Sequence, residues 1–396
     1  MKNFVFLSPN FPESYWKFCA ELKSNGLRVL GIGDSPYDNL KQELRDALHE
    51  YYKVSDLGNY DEVFKAVAFF TYKYGKIDWL ESNNEYWLER DAKLRTEFHI
   101  TSGFMEADME PVKYKSAMKA YYAKAGIPAA RYHMADTYEG CAAFIEKVGY
   151  PVVVKPDNGV GANATYRLRC DADLKNFIET KPNVPYIMEE LVNGVVCTYD
   201  AIINSEGKPL FEASNVTPVS LMDVVNDSGD CIFYIQKGIP EDIRSAGLRT
   251  VEAYGVKSRF VHLEFFRLRE DQPGLGKKGD LIGLEVNMRP SGGVTPDMYN
   301  YAYETDVYKI WADMIALDKS TKPLGVSRYS AFAGRRNGVS YTMDHNTIMQ
   351  KYGICMKMQG PVPDALSGAM ANYMYLATFD TEDQMNEYYR DVLTRA

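Results

Sequence analysis

The chain has 396 residues, 46% of them hydrophobic and 25% charged, a composition typical of globular proteins that excludes a disordered or fibrous chain. The 45 Lys and Arg residues face 54 Asp and Glu residues, and a net charge of −9 disfavours non-specific binding to nucleic acid or to an anionic membrane. No apolar run approaches the ~18 residues of a membrane span, and the apolar run at 4–7 is too short for a signal peptide. The six cysteines are scattered without a CxxC pair, which is typical of free thiols in a reducing compartment, so we expect a cytoplasmic protein.

The first segment alternates strand and helix signals. Residues 4–7 are an apolar run, 13–25 have the pattern of a helix, and 27–32 form a second strand. This βαβ order predicts a parallel sheet. The glycines after the second strand lack the third glycine of a dinucleotide fingerprint, so a nicotinamide-dependent dehydrogenase has weak support.

A lysine-bearing helix is predicted over residues 113–125 and ends at the stop signal Gly-Ile-Pro of 126–128. Lys115 and Lys119 lie four residues apart and therefore share one face of this helix. Taken alone, two such lysines are typical of a solvated helix face.

A glycine-containing loop follows the apolar strand 152–154. Lys155 ends that strand, and Gly159 and Gly161 would let backbone N–H groups approach an anion closely. The loop lacks the order of a P-loop, and a surface loop is the more common explanation for such a pattern.

Strand and helix patterns continue to the end of the chain. Residues 128–190 resemble a small α/β unit inserted into a larger one, and Pro-Leu-Gly at 323–325 is a candidate boundary. The last segment ends in a predicted helix over 381–394. Its two consecutive arginines, Arg335 and Arg336, are expected to form a surface pair.

The pattern over residues 259–289 predicts a hairpin, because ten residues rich in turn formers separate two strand candidates. In the second strand, Glu285, Asn287 and Arg289 alternate with apolar residues and so share one face. Symmetric pairing places Glu264 opposite Glu285.

Two carboxylates and an amide oxygen would then converge, which is a ligand set that suits Mg²⁺. Arg289, one step along the strand, could hold a phosphate or a carboxylate with its bidentate fork. A solvated polar face is the alternative. His262 lies on the same face as Glu264 and is expected to be a hydrogen-bonded structural residue.

The order of these motifs resembles the ATP-grasp superfamily, above all its carboxylate–amine ligases and its carbamoyl phosphate synthase or biotin carboxylase-like branch. The resemblance covers about residues 110–318 and, more weakly, 1–110. The resemblance rests on the lysine helix and on four segments that follow it: Val-Val-Val-Lys-Pro at 152–156, Met-Glu-Glu-Leu-Val-Asn-Gly at 188–194, His-Leu-Glu-Phe-Phe at 262–266 and Glu-Val-Asn-Met-Arg-Pro-Ser-Gly-Gly at 285–293.

The resemblance implies roles for residues that match the family's motifs. The implied ATP-binding residues are Lys115, Lys155, Gly159, Gly161, Ala162, Met188, Glu189, Glu190 and Leu191. The implied metal ligands are Glu264, Glu285 and Asn287. The implied substrate residues are Arg289, Ser291, Gly292 and Gly293, and Arg289 and Lys155 are the implied catalytic residues. The acidic residue that holds the ribose in many relatives has no match here, so either Glu190 or Asp200 takes that role or the ribose is held by other groups.

The resemblance also implies an α/β architecture, α+β in parts, with the ATP-grasp fold. An N-terminal domain with an open parallel sheet is expected over 1–110, an ATP-grasp domain over 111–325 with a lid at about 128–190, and a small C-terminal α+β subdomain over 326–396.

The implied function is an ATP- and Mg²⁺-dependent (or Mn²⁺-dependent) ligase that joins a carboxylate to an amine through an acyl-phosphate. An amino acid or a small peptide is the expected substrate, and a homodimer is a possible assembly. The alternatives are an enzyme that acts on bicarbonate or carbamate, like carboxylases and carbamoyl phosphate synthases, and an ATP-binding module without turnover.

Overall fold

The computed structural model describes residues 1–159, 164–219 and 229–396. These residues form three β-sheets, two of four strands and one of nine. No helix in the described ranges is both long and apolar enough to cross a membrane.

The N-terminal sheet is parallel, as the βαβ pattern predicts, with the strand order β3-β2-β1-β4. The predicted helix over 13–25 begins as a 3₁₀ turn at Glu13–Tyr15 and becomes α-helical at Trp16. The strands are β1 (Asn3–Leu7), β2 (Arg28–Gly33), β3 (Glu50–Lys53) and β4 (Trp79–Glu81). The helices are α1 (Trp16–Ser24), α2 (Gln42–Ala47), α3 (Tyr60–Tyr74) and α4 (Leu88–Glu97).

A second four-stranded sheet, antiparallel with the order β5-β8-β6-β7, lies between residues 132 and 190. It has a hydrophobic core of its own, which includes Phe144, Val154 and Leu174. The strands are β5 (Tyr132–Met134), β6 (Val152–Pro156), β7 (Tyr166–Leu168) and β8 (Tyr186–Glu190), and the helices are α7 (Tyr138–Val148) and α8 (Asp171–Thr180).

The large sheet is antiparallel with the order β14-β13-β9-β11-β12-β15-β17-β16, and β10 pairs with β9. Its last three strands in chain order, from residues 326–396, extend the sheet that the central residues begin. The strands are β9 (Gly194–Ile203), β10 (Pro209–Ala213), β11 (Asn215–Thr217), β12 (Cys231–Ile235), β13 (Arg259–Leu268), β14 (Leu281–Asn287), β15 (Tyr329–Arg335), β16 (Met356–Pro361) and β17 (Tyr373–Phe379).

Helices cover both faces of the large sheet. The lysine helix predicted over 113–125 is interrupted at Tyr114, whose extended backbone (φ −96°, ψ 119°) makes Lys115 the first residue of a new helix. The helices are α5 (Glu110–Lys113), α6 (Lys115–Lys124), α9 (Glu241–Tyr254), α10 (Thr295–Tyr303), α11 (Val307–Leu317), α12 (His345–Tyr352), α13 (Asp364–Met370) and α14 (Glu382–Leu393).

Buried contacts fix the N-terminal sheet against the large sheet. The ring of Phe18 on α1 packs edge-on against Tyr308 and Trp311 of α11, with centroids 4.7 and 4.9 Å apart. Glu81, at the carboxyl end of β4, receives a hydrogen bond of 2.8 Å from Arg259 at the start of β13. The carboxyl edge of the parallel sheet is thereby held beside the hairpin β13–β14.

Helix α9 can pack closely on β9 because Gly247 has no side chain. A Cβ atom at this position would lie 2.1 Å from Cγ of Tyr199, whose side chain is fully buried. We expect Gly247→Ala to lower the free energy of unfolding by about 1–3 kcal/mol through overpacking.

Chemical denaturation would measure this loss, with Gly368→Ala as the matched control. A Cβ at Gly368, on α13, meets nothing within 4 Å, so that variant should be neutral or slightly stabilised. Equal stability of both variants would contradict the packing described for α9.

Candidate active site

The hairpin β13–β14 brings two carboxylates together on one polar face. Glu264 pairs directly with Glu285, and His262 pairs with Asn287, which confirms the pairing predicted from the symmetry of the hairpin. A register shift follows immediately, between Glu264 and Phe265. The Glu264 and Glu285 side chains stay 23% and 20% exposed, so a ligand can reach them.

His262 connects one of these carboxylates to a buried acid on the neighbouring strand. Its Nε2 lies 3.0 Å from Oε1 of Glu264, and its Nδ1 lies 2.5 Å from Oδ1 of Asp200 on β9. Burial opposes the charge on His262, but the two carboxylates outweigh burial and raise its pKa to about 9. Burial would also raise the pKa of Glu264, yet His262, Arg289 and Lys155 hold that pKa below its usual value.

Lys115 reaches the hairpin from the start of α6. Its Nζ lies 3.2 Å from Oε1 of Glu285 and donates to the carbonyl of Gly159 over 3.1 Å. Asp157, two residues after Lys155, fixes this position, since its carboxylate accepts from the backbone and the hydroxyl of Ser116 at 2.8 and 2.7 Å. An acid at a helix N-terminus is favourable, and here it ties the helix to the loop that follows β6.

Two buried lysines share one carboxylate. Glu189 on β8 lies 2.6 Å from Nζ of Lys155 and 2.5 Å from Nζ of Lys119. Although burial opposes its charge, the two lysines lower the pKa of Glu189 to about 2. Both Lys115 and Lys119 are buried, so the solvated helix face that is typical of such a pair taken alone does not occur here.

The site includes Lys119, which the motif comparison did not select. Its position four residues after Lys115 placed it on the correct face, but the helix pattern alone gave no sign that a carboxylate from β8 would meet it. Burial, acting against its charge, lowers the pKa of Lys119 below the usual lysine value despite the contact with Glu189.

Arg289 lies at the edge of the polar face and contacts the N-terminal segment. Its Nε donates to Glu85 over 3.0 Å, and its Nη2 donates to the side-chain oxygen of Asn287 over 3.1 Å. Glu85 also pairs with Lys113 at 2.6 Å. Glu85 was missed by the sequence analysis, although its place just after the parallel strand β4 is typical of site residues.

The other predicted residues each have a different environment in the structure. Met188 is buried in the core of the second sheet, and the carbonyl of Leu191 accepts a hydrogen bond of 2.9 Å from Gln272. Ser291 is buried, and Gly292 and Gly293 lead into α10. The predicted residues Gly161 and Ala162 lie outside the described residues.

Both acids considered for the ribose already have partners. The carboxylate of Glu190 accepts hydrogen bonds from the side chain of Arg131 at 3.0 and 2.6 Å. Asp200 contacts His262 and Thr198. Asp200 is thus engaged on the polar face of the hairpin, and Glu190 is engaged by Arg131.

The donor set has the chemistry of a magnesium site. Glu264, Glu285 and Asn287 supply hard oxygen atoms, which Mg²⁺ prefers. The described part of the chain contains no metal site built from three or more His, Cys, Asp or Glu side chains alone. Two carboxylates and an amide match the usual magnesium site, in which substrate phosphates and waters complete the octahedron.

The sequence matches no family model. A stretch of 303 residues is 24% identical to the L-arginine-specific L-amino acid ligase of Bacillus subtilis and covers 74% of this chain and 70% of that enzyme.

Solved structures with the same fold cover the whole chain. The L-amino acid ligase from Bacillus licheniformis has a TM-score of 0.71 at 15% identity, with 100% of this chain and 98% of that chain covered. The biotin carboxylase domain dimer of the Hydrogenobacter thermophilus 2-oxoglutarate carboxylase, solved with MgADP, ADP and bicarbonate, has a TM-score of 0.70 at 13% identity and coverages of 100% and 90%. These similarities confirm the predicted ATP-grasp fold and the resemblance to ATP-grasp ligases.

The raised pKa of His262 predicts a pH-dependent stability. A folded-state pKa of about 9, above the ordinary value of about 6.5, stabilises the fold below pH ~6.5, and this stabilisation is lost as the pH rises through 9. Asp200→Asn should remove part of it. We compare the unfolding free energy of the wild type with that of this variant. We expect the difference between them to be roughly 1–3 kcal/mol larger at pH 6 than at pH 9.

Denaturant titrations at the two pH values would measure the difference. Asp38→Asn, at an exposed position, is the control and should show no such pH dependence. If the difference in unfolding free energy between the wild type and Asp200→Asn is the same at both pH values, His262 is not held in its charged form.

Proposed function

We propose that the protein is an ATP- and Mg²⁺-dependent ligase that activates a carboxylate as an acyl-phosphate and joins it to an amine. The observation that carries the proposal is the meeting of Glu264, Glu285 and Asn287 with Lys115 and Lys155 around one polar face. Phosphoryl transfer needs positioning and charge stabilisation far more than acid–base groups, and this set of side chains supplies both.

Lys115 and Lys155 would bind the phosphates of ATP, and Glu264, Glu285 and Asn287 would hold Mg²⁺, which supplies charge neutralisation for those phosphates when it is bound. Both lysines now contact carboxylates, at 3.2 and 2.6 Å. An incoming phosphate offers oxygen acceptors in place of those carboxylates, so each lysine can turn to ATP without losing an anionic partner.

The reaction balances in two steps. An oxygen of the substrate carboxylate attacks the γ-phosphorus, the bond from that phosphorus to the β–γ bridging oxygen breaks, and ADP leaves. The amine then attacks the acyl carbon, the carbon–oxygen bond to phosphate breaks so that inorganic phosphate leaves, and the amine's proton passes to solvent water. Arg289, whose guanidinium lies beside Asn287, would steady the transferred phosphoryl group or the acyl-phosphate.

An amino acid or a small peptide is the proposed substrate, and the similarity to the L-arginine-specific L-amino acid ligase supports this choice. Bicarbonate or carbamate is the alternative, supported by the biotin carboxylase neighbour whose structure contains bicarbonate. An ATP-binding module without turnover is the third candidate, and the presence of every implied metal ligand and phosphate lysine argues against it.

The proposed setting is the cytoplasm, since all six cysteines are free thiols. The same proposal includes the domain limits at 110 and 325, the lid over 128–190 and the glycine loop 159–162. A homodimer is proposed from the similarity to the carboxylase domain, which was solved as a dimer.

Phosphate release from MgATP across a panel of amino acids, dipeptides and bicarbonate, offered singly and in pairs, tests this function. A condensed product from one carboxylate and one amine, seen by mass spectrometry, would establish the ligase. Stimulation by bicarbonate alone would move the function to the carboxylase branch. Binding of ATP without turnover on any substrate pair would favour the non-catalytic module.

Glu285→Gln should lower the rate of phosphate release at least about a hundredfold, because it removes one anionic metal ligand while it keeps the side-chain shape. A steady-state phosphate assay would measure the loss. Glu252→Gln, at an exposed position of α9, controls for loss of a negative charge. A wild-type rate in Glu285→Gln would rule out the metal assignment.

Lys155→Met should weaken ATP binding about ten- to a hundredfold, which corresponds to one lost charged hydrogen bond. Glu189 keeps Lys119 as a partner in this variant, so the fold should tolerate it. Calorimetric titration with ATP measures the effect, with Lys147→Met on α7 as the exposed control. Equal affinity in the two variants would contradict the role given to Lys155.

A further inference from the structure

Strand β15 ends in a buried arginine whose neighbour has a different environment. The guanidinium of Arg336 donates to the carbonyls of Ser367 and Gly368 on α13 at 2.6 and 2.8 Å. Arg335 instead lies between two rings, 4.3 Å from the centroid of Tyr341 and 5.5 Å from that of Tyr375. The expectation of a surface pair is wrong for Arg335, which is only 9% exposed.

Arg335 lies on the face of the large sheet that points away from the candidate active site. The cross-strand pairs place Arg335, Tyr234 on β12 and Cys197 on β9 on the same face of the sheet. Glu264, in contrast, pairs with Thr198, whose side chain points to the other face. Whatever Arg335 binds is therefore separate from the Glu264–Glu285 centre.

A cavity of about 350 Å³ opens beside this arginine. Three tyrosines and a histidine form part of its wall, and Nδ1 of His345 lies 3.0 Å from the hydroxyl of Tyr375. Its wall consists of Arg335, Tyr341, His345, Tyr373, Tyr375 and residues 336–339. A concave, aromatic-lined space with one charged group is the usual form of a small-molecule site.

Among the described residues no carboxylate forms an ion pair with Arg335, although those of Asp230 and Asp344 act on its charge from a distance. Its side chain makes one hydrogen bond, from Nε to the carbonyl of Val392 at 2.7 Å, and its Nη2 is buried with no hydrogen-bond partner. The nearby carboxylate of Asp230 is taken by the hydroxyl of Tyr341 at 2.5 Å and by Arg395 at 3.1 Å. An unpaired buried charge is costly, and burial lowers the pKa of Arg335.

We propose that this cavity binds a small carboxylate with a flat apolar body, with its carboxylate against the guanidinium of Arg335 and its body among the tyrosine rings. The guanidinium fork matches a planar carboxylate. Inorganic phosphate would find few donors, because the backbone N–H groups of Arg336 and Asn337 already donate to Tyr341 and to Asn372.

Isothermal titration of the full chain with benzoate tests the site, with benzamide as the uncharged probe of the same shape. Wild type and Arg390→Met, an exposed arginine on α14, should bind benzoate equally. Arg335→Met should bind at least tenfold more weakly, and Arg335→Lys, which keeps the charge without the fork, should fall between them. All four proteins keep the same active site, so binding there contributes equally and cancels in the comparison.

Unchanged benzoate affinity in Arg335→Met would overturn the proposal, as would benzamide binding as tight as benzoate. Inorganic phosphate that binds more tightly than benzoate and depends on Arg335 would overturn the choice of ligand. If Arg335→Met does not fold, Arg335→Lys decides: a loss of benzoate affinity supports the site, and wild-type affinity refutes it.

Discussion

Glu264 and Glu285 face each other across adjacent strands, where like charges repel. The pair is stable because cations surround it: His262 lies 3.0 Å from Glu264, and Lys115 lies 3.2 Å from Glu285. Arg289 and Lys155 add to the field that keeps Glu264 ionised. The hairpin thus needs these cations for its own stability. In the proposed reaction three of them, the two lysines and Arg289, bind phosphate groups.

The lysines reach this centre from two other layers of the structure. The break at Tyr114 makes Lys115 the first residue of α6, and Asp157 ties that helix to the loop after β6, the strand that contains Lys155. Glu189 holds Lys155 in place on the antiparallel sheet of residues 132–190. A movement of that sheet would therefore carry Lys155 and Glu189 together, while Lys115 is anchored to α6 and linked to the loop.

The sequence predicted the parts of the site that depend on local periodicity. Alternation with period two and a turn-rich centre gave the pairing of Glu264 with Glu285, and the ordered motifs gave Lys115 and Lys155. Contacts between distant elements could not be predicted in this way. Glu85 meets Arg289 across 204 residues, and the burial of Arg335 depends on rings from β17 and from the loop before α12. Nothing in the sequence indicated these contacts, so both arginines were expected at the surface.

The most direct test of the account follows oxygen from the substrate carboxylate. The carboxylate that supports phosphate release would be labelled with ¹⁸O, and the inorganic phosphate released during turnover would be examined by mass spectrometry. An acyl-phosphate requires one ¹⁸O atom in each phosphate, because the phosphate leaves with a carboxylate oxygen. Phosphate without ¹⁸O would show that water or another nucleophile attacks the γ-phosphorus, and it would contradict the ligase mechanism.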